Sequence, residues 1–279
     1  VTPGESGWDL RTSRGTVSVR TDRIDLSIFS NVLKGINSEG CLAVDMKCGY
    51  SDRKISDLSG QITGSDIYIY GEKLQQNSFR TNKLKTDISL SSQDQMINID
   101  TFELNTDWLS AALKGYIPAT AKTLKNYLQP GSRYKLDCTL NADIPRIASQ
   151  AEGLLNLRKD IEITGGALTG KISAAKGDIG GRILLSGLSG KLGTISTSLK
   201  KPVELTLKIN AEQRGLRYQQ VAITSSFAEI TLNGTDKRLD YRAEVSLDRM
   251  SSELGQFIDL KRHSINGRLN VSGQITTQA

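Results

Sequence analysis

The chain has 279 residues, of which 37% are hydrophobic, 24% charged and only 5% aromatic. That apolar content excludes wholesale disorder, and the shortage of rings argues against a deep aromatic pocket and for a core of Leu, Ile, Val and Ala. The formal charge of +6 arises from 36 basic and 30 acidic residues interleaved along the chain. Basic and aromatic residues do not interleave as single-strand binders require, so no nucleic-acid partner is expected, although a weak attraction to anionic lipid headgroups fits.

The sequence begins at Val1 without an initiator Met or a charged leader, and no apolar run nears the ~18 residues needed to span a bilayer. It reads as a segment of a longer protein. The opening stretch "GTVSVRTDRIDLSIFSNVLKGINSEGCLAVDMK" reads as strand, Asp22, helical spacing from Ile24 to Leu33, a Gly and another alternating strand. "LSGQITGSDIYI" (Leu58 to Ile69) and "LKTDISLSS" continue as strands. Asp107 to Leu128, "DWLSAALKGYIPATAKTLKNYL", predicts two short helices broken at Ile117-Pro118. The expected organisation is therefore a first β segment over 1–106 with a short helix near 24–34, a helical interruption or hinge over 107–131, and a second β segment over 132–279.

The opening pattern recurs twice in the second segment. Tyr134, Leu136, Cys138, Leu140 and Ala142 alternate up to Asp143, helical spacing follows through Leu155 with Pro145 confined to the first turn, and a return strand covers Ile161 to Ala174. Tyr241, Ala243, Val245 and Leu247 alternate up to Asp248, after which Met250, Leu254, Phe257 and Ile258 take one helical face. The return strand there is Ser264 to Ile275. Asp22, Asp143 and Asp248 each stand at the expected helix N-cap, where a carboxylate accepts free backbone N–H groups and complements the helix dipole. Between the copies, "VELTLKINAE" alternates without error, and Asn233-Gly234 predicts a hairpin turn. Strands arriving this often with short links predict antiparallel neighbours in a meander.

Covalent chemistry finds little material. His263 is the one histidine and falls at a helical C-terminus, where it softens the dipole, and no G-x-S-x-G elbow accompanies it. Cys41, Cys48 and Cys138 have no metal-type spacing, and no G-x-x-x-x-G-K-[ST] loop occurs among the glycines of "GDIGGRILLSGLSGKLG". Neither a metal nor a cofactor is expected. Paired carboxylates of the kind that hydrolyse polysaccharide have no sequence signature of their own, so such an enzyme stays a third reading.

The fold class expected is mainly β: a long antiparallel, curved meander sheet, as an open groove or taco-like trough, with short interrupting α-helices. Its dry wall would comprise Tyr134, Leu136, Cys138, Leu140, Val203, Leu205, Leu207, Ile209, Tyr241, Val245 and Leu247. A face of that kind must be covered, because burial is worth roughly 25 cal/mol per Å². A second sheet, plugging helices or an acyl chain would each cover it.

The strand, Asp, short helix, "G-x-L-x-x-x-G-x-I" phrasing of "VSLDRMSSELGQFIDL" with "NGRLNVSGQI", and of "LNADIPRIASQAEGLLNL" with "GGALTGKI", resembles the AsmA-like, TamB-related family of bacterial envelope proteins. The resemblance implies a β-groove with an apolar interior that conducts phospholipid or another acyl-chain ligand, or that supports outer-membrane assembly. It also implies a periplasmic setting, inner-membrane anchorage through segments outside this chain, and envelope protein partners. The rival expectation is a β-sandwich scaffold or adhesion module.

Overall fold

The computed structural model describes residues 14–31, 35–51, 54–74, 78–119, 133–151, 155, 157–212, 215–235, 237–258 and 266–276. The chain divides into two compact units, Val1–Ala121 and Lys122–Ala279. The division falls inside the 107–131 window.

The first unit is an antiparallel meander of β1 (Arg14–Asp25), β2 (Asn37–Ser51), β3 (Lys54–Tyr70), β4 (Ser78–Gln93), β5 (Met96–Thr106) and β6 (Leu109–Pro118), each paired with the next. Short 3-10 turns cover Leu26–Asn31 and Glu72–Leu74.

The second unit contains β7 (Lys135–Asp143), helix α1 (Ile144–Gln150), β8 (Ile161–Ala175), β9 (Asp178–Leu192), β10 (Ile195–Ser198), β11 (Val203–Glu212), β12 (Gly215–Thr224), β13 (Ala228–Thr235), β14 (Arg238–Ser246), helix α2 (Leu247–Leu254) and β15 (Arg268–Thr276). Its strands pair antiparallel in the order β7-β8-β9-β11-β12-β13-β14-β15, and β10 folds back on the end of β9. Mainly β, antiparallel and meandering, with two short α-helices among the described residues, the protein has the fold class its sequence predicts.

Four local expectations are corrected. Leu109–Pro118 is strand, not helix. Ala112, Leu113, Tyr116 and Ile117 fit helical spacing, but Ala111, Leu113 and Ile117 fit period two as well. The hairpin partner decides, because Leu113 and Ala111 lie opposite Phe102 and Leu104 of β5. Residues 120–132, where the second helix was expected, lie outside the described residues.

At the first repeat β1 runs on through Asp22, which is 93% exposed, to Asp25. There the Asp25 carboxylate accepts the Ser27 N–H at 2.9 Å, a bond that holds its carboxyl below the usual range. Of the helix expected over 24–33, Ile24 and Asp25 close β1, Leu26–Asn31 is a 3-10 turn, and 32 and 33 lie outside the described residues.

Asp143 is the N-cap expected: it accepts the Arg146 N–H at 3.1 Å, with Pro145 in the first turn of α1. In α2 the cap is Ser246, whose hydroxyl accepts the Arg249 N–H. Asp248 is the second residue of the helix, in its first turn, where its charge still complements the dipole.

Asn233 and Gly234 are ladder residues opposite Asp240 and Leu239, so the hairpin turns beyond them. Gly234 has φ +130° and packs so closely on β14 that an added Cβ would stand 2.3 Å from the Arg238 carbonyl oxygen. His263 lies outside the described residues.

Close packing gathers at one end of the strands in each unit. In the second it is the end where β7 enters α1: Ile144, Ile147 and Ala151 are buried with Ile163, Leu188, Phe227 and Phe257. Gly166 lets this cluster close, since a Cβ there would meet Ile144 and Leu188 at 3.2 Å. The turn after α2 is tied in by Arg158, whose N–H donates to the Phe257 carbonyl at 2.9 Å and whose guanidinium reaches the Gly255 carbonyl at 3.2 Å. Glu253, 2% exposed, accepts from the Ser226 hydroxyl and the Lys200 N–H, pinning α2 to two strand connections.

In the first unit Leu26, Ile67 and Trp108 are buried at the corresponding end, where the Trp108 indole N–H donates to the Arg80 carbonyl at 3.1 Å. The short helices are thus end plugs. They stop one rim of each sheet while the strands run on beyond them.

Candidate functional site: an open aliphatic face

In an antiparallel ladder, directly opposed residues point to the same face, so the register fixes which side chains share a surface. One row of the second unit runs Cys138, Ile172, Gly181, Leu207, Val221, Leu232, Tyr241, Gly273. The next runs Leu140, Gly170, Ile183, Leu205, Ile223, Ile230, Ala243, Val271. A third begins at Leu136, Ala174, Ile179 and Ile209, and a fourth joins Ala142, Leu168, Leu185 and Val203. Val245 lies between Ala228 and Leu269 on the same side. At about 4.8 Å per strand, eight strands spread this surface over roughly 34 Å.

The glycines in the rows are places of close approach. A Cβ on Gly181 would come within 2.9 Å of Ile172, and one on Gly273 within 2.7 Å of the Tyr241 hydroxyl, so the Tyr241 ring covers the backbone of the last strand. The first unit repeats the arrangement: Val19, Met46, Gly60, Ile88, Phe102 and Leu113 form one row. The sequence reasoning missed that second face. It also missed Ile172, Ile183, Val221, Ile223, Ile230 and Leu232, which interleave with the expected wall residues.

Nine of the expected wall residues therefore share one face and two do not. Tyr134 is 2% exposed at the far end of β7, where its hydroxyl accepts the Gly177 N–H at 3.1 Å and its carbonyl accepts from Lys176. It staples the β8–β9 turn, and burial raises its pKa. Leu247 opens α2. An alternating pattern extended by one residue at either end reads the same in sequence, but the chain leaves the sheet at both places.

The face is not sealed. The nine aligned residues are half-buried, while Ile223 is 36%, Leu269 45% and Ile275 55% exposed. Two sheets packed about 10 Å apart would bury such residues on both inner faces. Every described strand of this unit belongs to its one meander, so no second sheet of the unit lies over them.

The opposite face is polar and self-paired. Arg182 binds Glu204 at 2.6 Å and holds that carboxyl below its ordinary range, Arg242 binds Glu244, and Gln274 donates to Asp240 at 2.6 Å. Glu229 lies opposite Glu244 on this face, both exposed, with Arg242 engaged on Glu244. That solvated pair lines an open, mainly polar concavity of about 330 Å³ with Ser226, Arg249 and Arg268, and is the arrangement among these residues that comes nearest to what carbohydrate hydrolysis asks for.

Cys41, Cys48 and Cys138 are free and half-buried, and Cys48 and Cys138 lie in apolar rows, where a thiol acts as a small hydrophobe. Among the described residues no cluster of His, Cys, Asp or Glu is placed to hold a metal, and no helix is long and apolar enough to cross a membrane.

The chain matches no protein-family model, no curated protein and no solved structure.

Proposed function

We propose that this chain is a non-enzymatic carrier segment that conducts acyl chains, most simply those of phospholipid, along the aliphatic face of its strands. The observation that carries the proposal is the register: the apolar residues of eight consecutive strands fall in continuous rows on one side, half-exposed instead of buried. Water on such a surface is displaced favourably by hydrocarbon, at roughly 25 cal/mol per Å² covered.

The face is chemically uniform, so a tail moving from one row to the next exchanges equivalent aliphatic contacts and meets no specific barrier. The headgroup stays in water. No step needs a nucleophile, a metal or a cofactor. The resemblance of its strand, Asp, short helix phrasing to that of AsmA-like envelope proteins is the ground for placing this activity in the periplasm, in a protein anchored to the inner membrane by other segments.

The test is to purify the protein without detergent, extract it with organic solvent and identify the extract by mass spectrometry. Phospholipid released in proportion to protein, and taken up again from vesicles after stripping, is the expected result. Protein that carries no lipid and acquires none from vesicles would contradict carriage and leave a scaffold role for the same sheet.

A further inference from the structure

The concavity of about 330 Å³ on the polar face, beside α2, is lined by Ser226, Glu229, Glu244, Arg249, Arg268 and Asn270. The register sorts its charges into two ends. Glu229, Glu244 and Asn270 are directly opposed across β13, β14 and β15 and form one row. Arg268 stands two residues along β15, opposite Ser246, and Arg249 follows in the first turn of α2 with its guanidinium 3.5 Å from the Ser226 carbonyl oxygen. The carboxylate row and the Arg268 row are therefore about 7 Å apart along the strands.

Neither end is neutralised from within. Glu229 directly opposes Glu244, a juxtaposition of like charges that costs stability. Arg242 engages Glu244 and leaves Glu229 with no ion pair, and Arg249 and Arg268 form none among the described residues. Elsewhere this face pairs its charges across strands, as Arg182 does with Glu204. Here two guanidiniums share one wall and a carboxylate and an amide share the other.

We propose that this concavity binds a small zwitterion in which a phosphate and a primary ammonium are joined by a short chain, the chemistry of phosphoethanolamine. A lone anion would leave Glu229 uncompensated, and a lone cation would face two guanidiniums, so a ligand bearing both charges is the one that satisfies both ends. A phosphate offers enough oxygens to accept paired N–H donors from Arg249 and Arg268 together, where a carboxylate offers two. The ammonium brings three donors, which the Glu229 carboxylate and the Asn270 side-chain oxygen accept. Small-molecule clefts run from roughly 300 to 1,000 Å³, so the space suits a ligand of this size. The site lies on the face opposite the aliphatic rows and stands apart from the carrier function.

The test is isothermal titration calorimetry of the 279-residue chain at low ionic strength, where exposed charges are least screened. The charged groups are exposed, so O-phosphoethanolamine is expected to bind saturably with a dissociation constant on the order of a millimolar. It should bind at least fivefold more tightly than methyl phosphate, which lacks the ammonium, or phosphocholine, whose quaternary nitrogen has no N–H to donate. Arg268→Gln is expected to weaken both phosphoethanolamine and methyl phosphate, and Glu229→Gln to weaken phosphoethanolamine alone. Lys171→Gln, on the polar face of β8 outside the concavity, is expected to change neither. Flotation with phosphatidylcholine vesicles, with and without phosphatidylethanolamine, separates the sources of such a ligand. Association that requires phosphatidylethanolamine and is lost in Glu229→Gln assigns the site to a lipid headgroup, and its absence assigns the site to a free zwitterion. No saturable heat, equal affinity for phosphoethanolamine and methyl phosphate, or Arg268 and Glu229 variants that bind like the unsubstituted chain would each overturn the proposal. The calorimetric readouts involve no acyl chain, so they succeed or fail independently of lipid carriage.

Discussion

Leu207→Glu is expected to strip the protein of bound lipid while leaving it folded. Leu207 stands mid-row between Gly181 and Val221, near the centre of the aliphatic face, and is half-buried. In the lipid-free protein a carboxylate at this position keeps much of its water, so the cost to folding is small. Beneath an acyl chain it would be desolvated with no partner, a penalty of about 3 kcal/mol or more. That corresponds to roughly a hundredfold weaker retention. The adjacent Lys208 is exposed on the polar face, and Lys208→Glu serves as the matched control. Lipid per protein, measured after detergent-free purification, should collapse for Leu207→Glu and hold for Lys208→Glu, with unfolding midpoints alike. Equal lipid content in both variants would remove Leu207 from the conducting surface.

Phe257→Ala is expected to have the largest effect on stability, about 3–5 kcal/mol. Phe257 is 1% exposed in the turn after α2, and its carbonyl accepts from Arg158 while Ile258 bridges to Leu157. Truncation leaves a cavity in the plug, where few other residues can move in. Leu269→Ala on the apolar face, 45% exposed at the outset, should change stability by no more than about 0.5 kcal/mol. Denaturant unfolding of both variants reads the contrast directly. A cost at Leu269 equal to that at Phe257 would mean that the face is a packed core and not an open surface.

What the sequence disclosed and what it hid follow from how far each signal reaches. Strand β11 is legible in "VELTLKINAE" because each apolar residue alternates with a polar one and both of its neighbours keep that register over most of its length. Strand β12 is not, since a bulge between Tyr218 and Val221 puts residues three apart on the same face and breaks the period. The rows through β8 and β9 are obscured because Gly170 and Gly181 stand where a larger apolar residue would have completed the pattern.

Caps are set by local geometry at single-residue resolution, and a bulge or one paired residue fewer moves them: from Asp22 to Asp25, and from Asp248 to Ser246. Only Asp143, with a proline two residues further on that suits the first turn, had its position fixed locally. The β6 segment shows the converse, a stretch whose apolar residues fit both periods and whose partner strand settles the matter.

The most direct measurement of the central claim is residue-by-residue photocrosslinking to lipid along β11, with a photoreactive side chain placed in turn at Leu205, Thr206, Leu207, Lys208 and Ile209. Because successive strand residues point to opposite faces, adducts are expected at Leu205, Leu207 and Ile209 and not at Thr206 or Lys208. Adducts of equal yield at all five positions, or strongest at Thr206 and Lys208, would contradict an acyl chain lying on the aliphatic face.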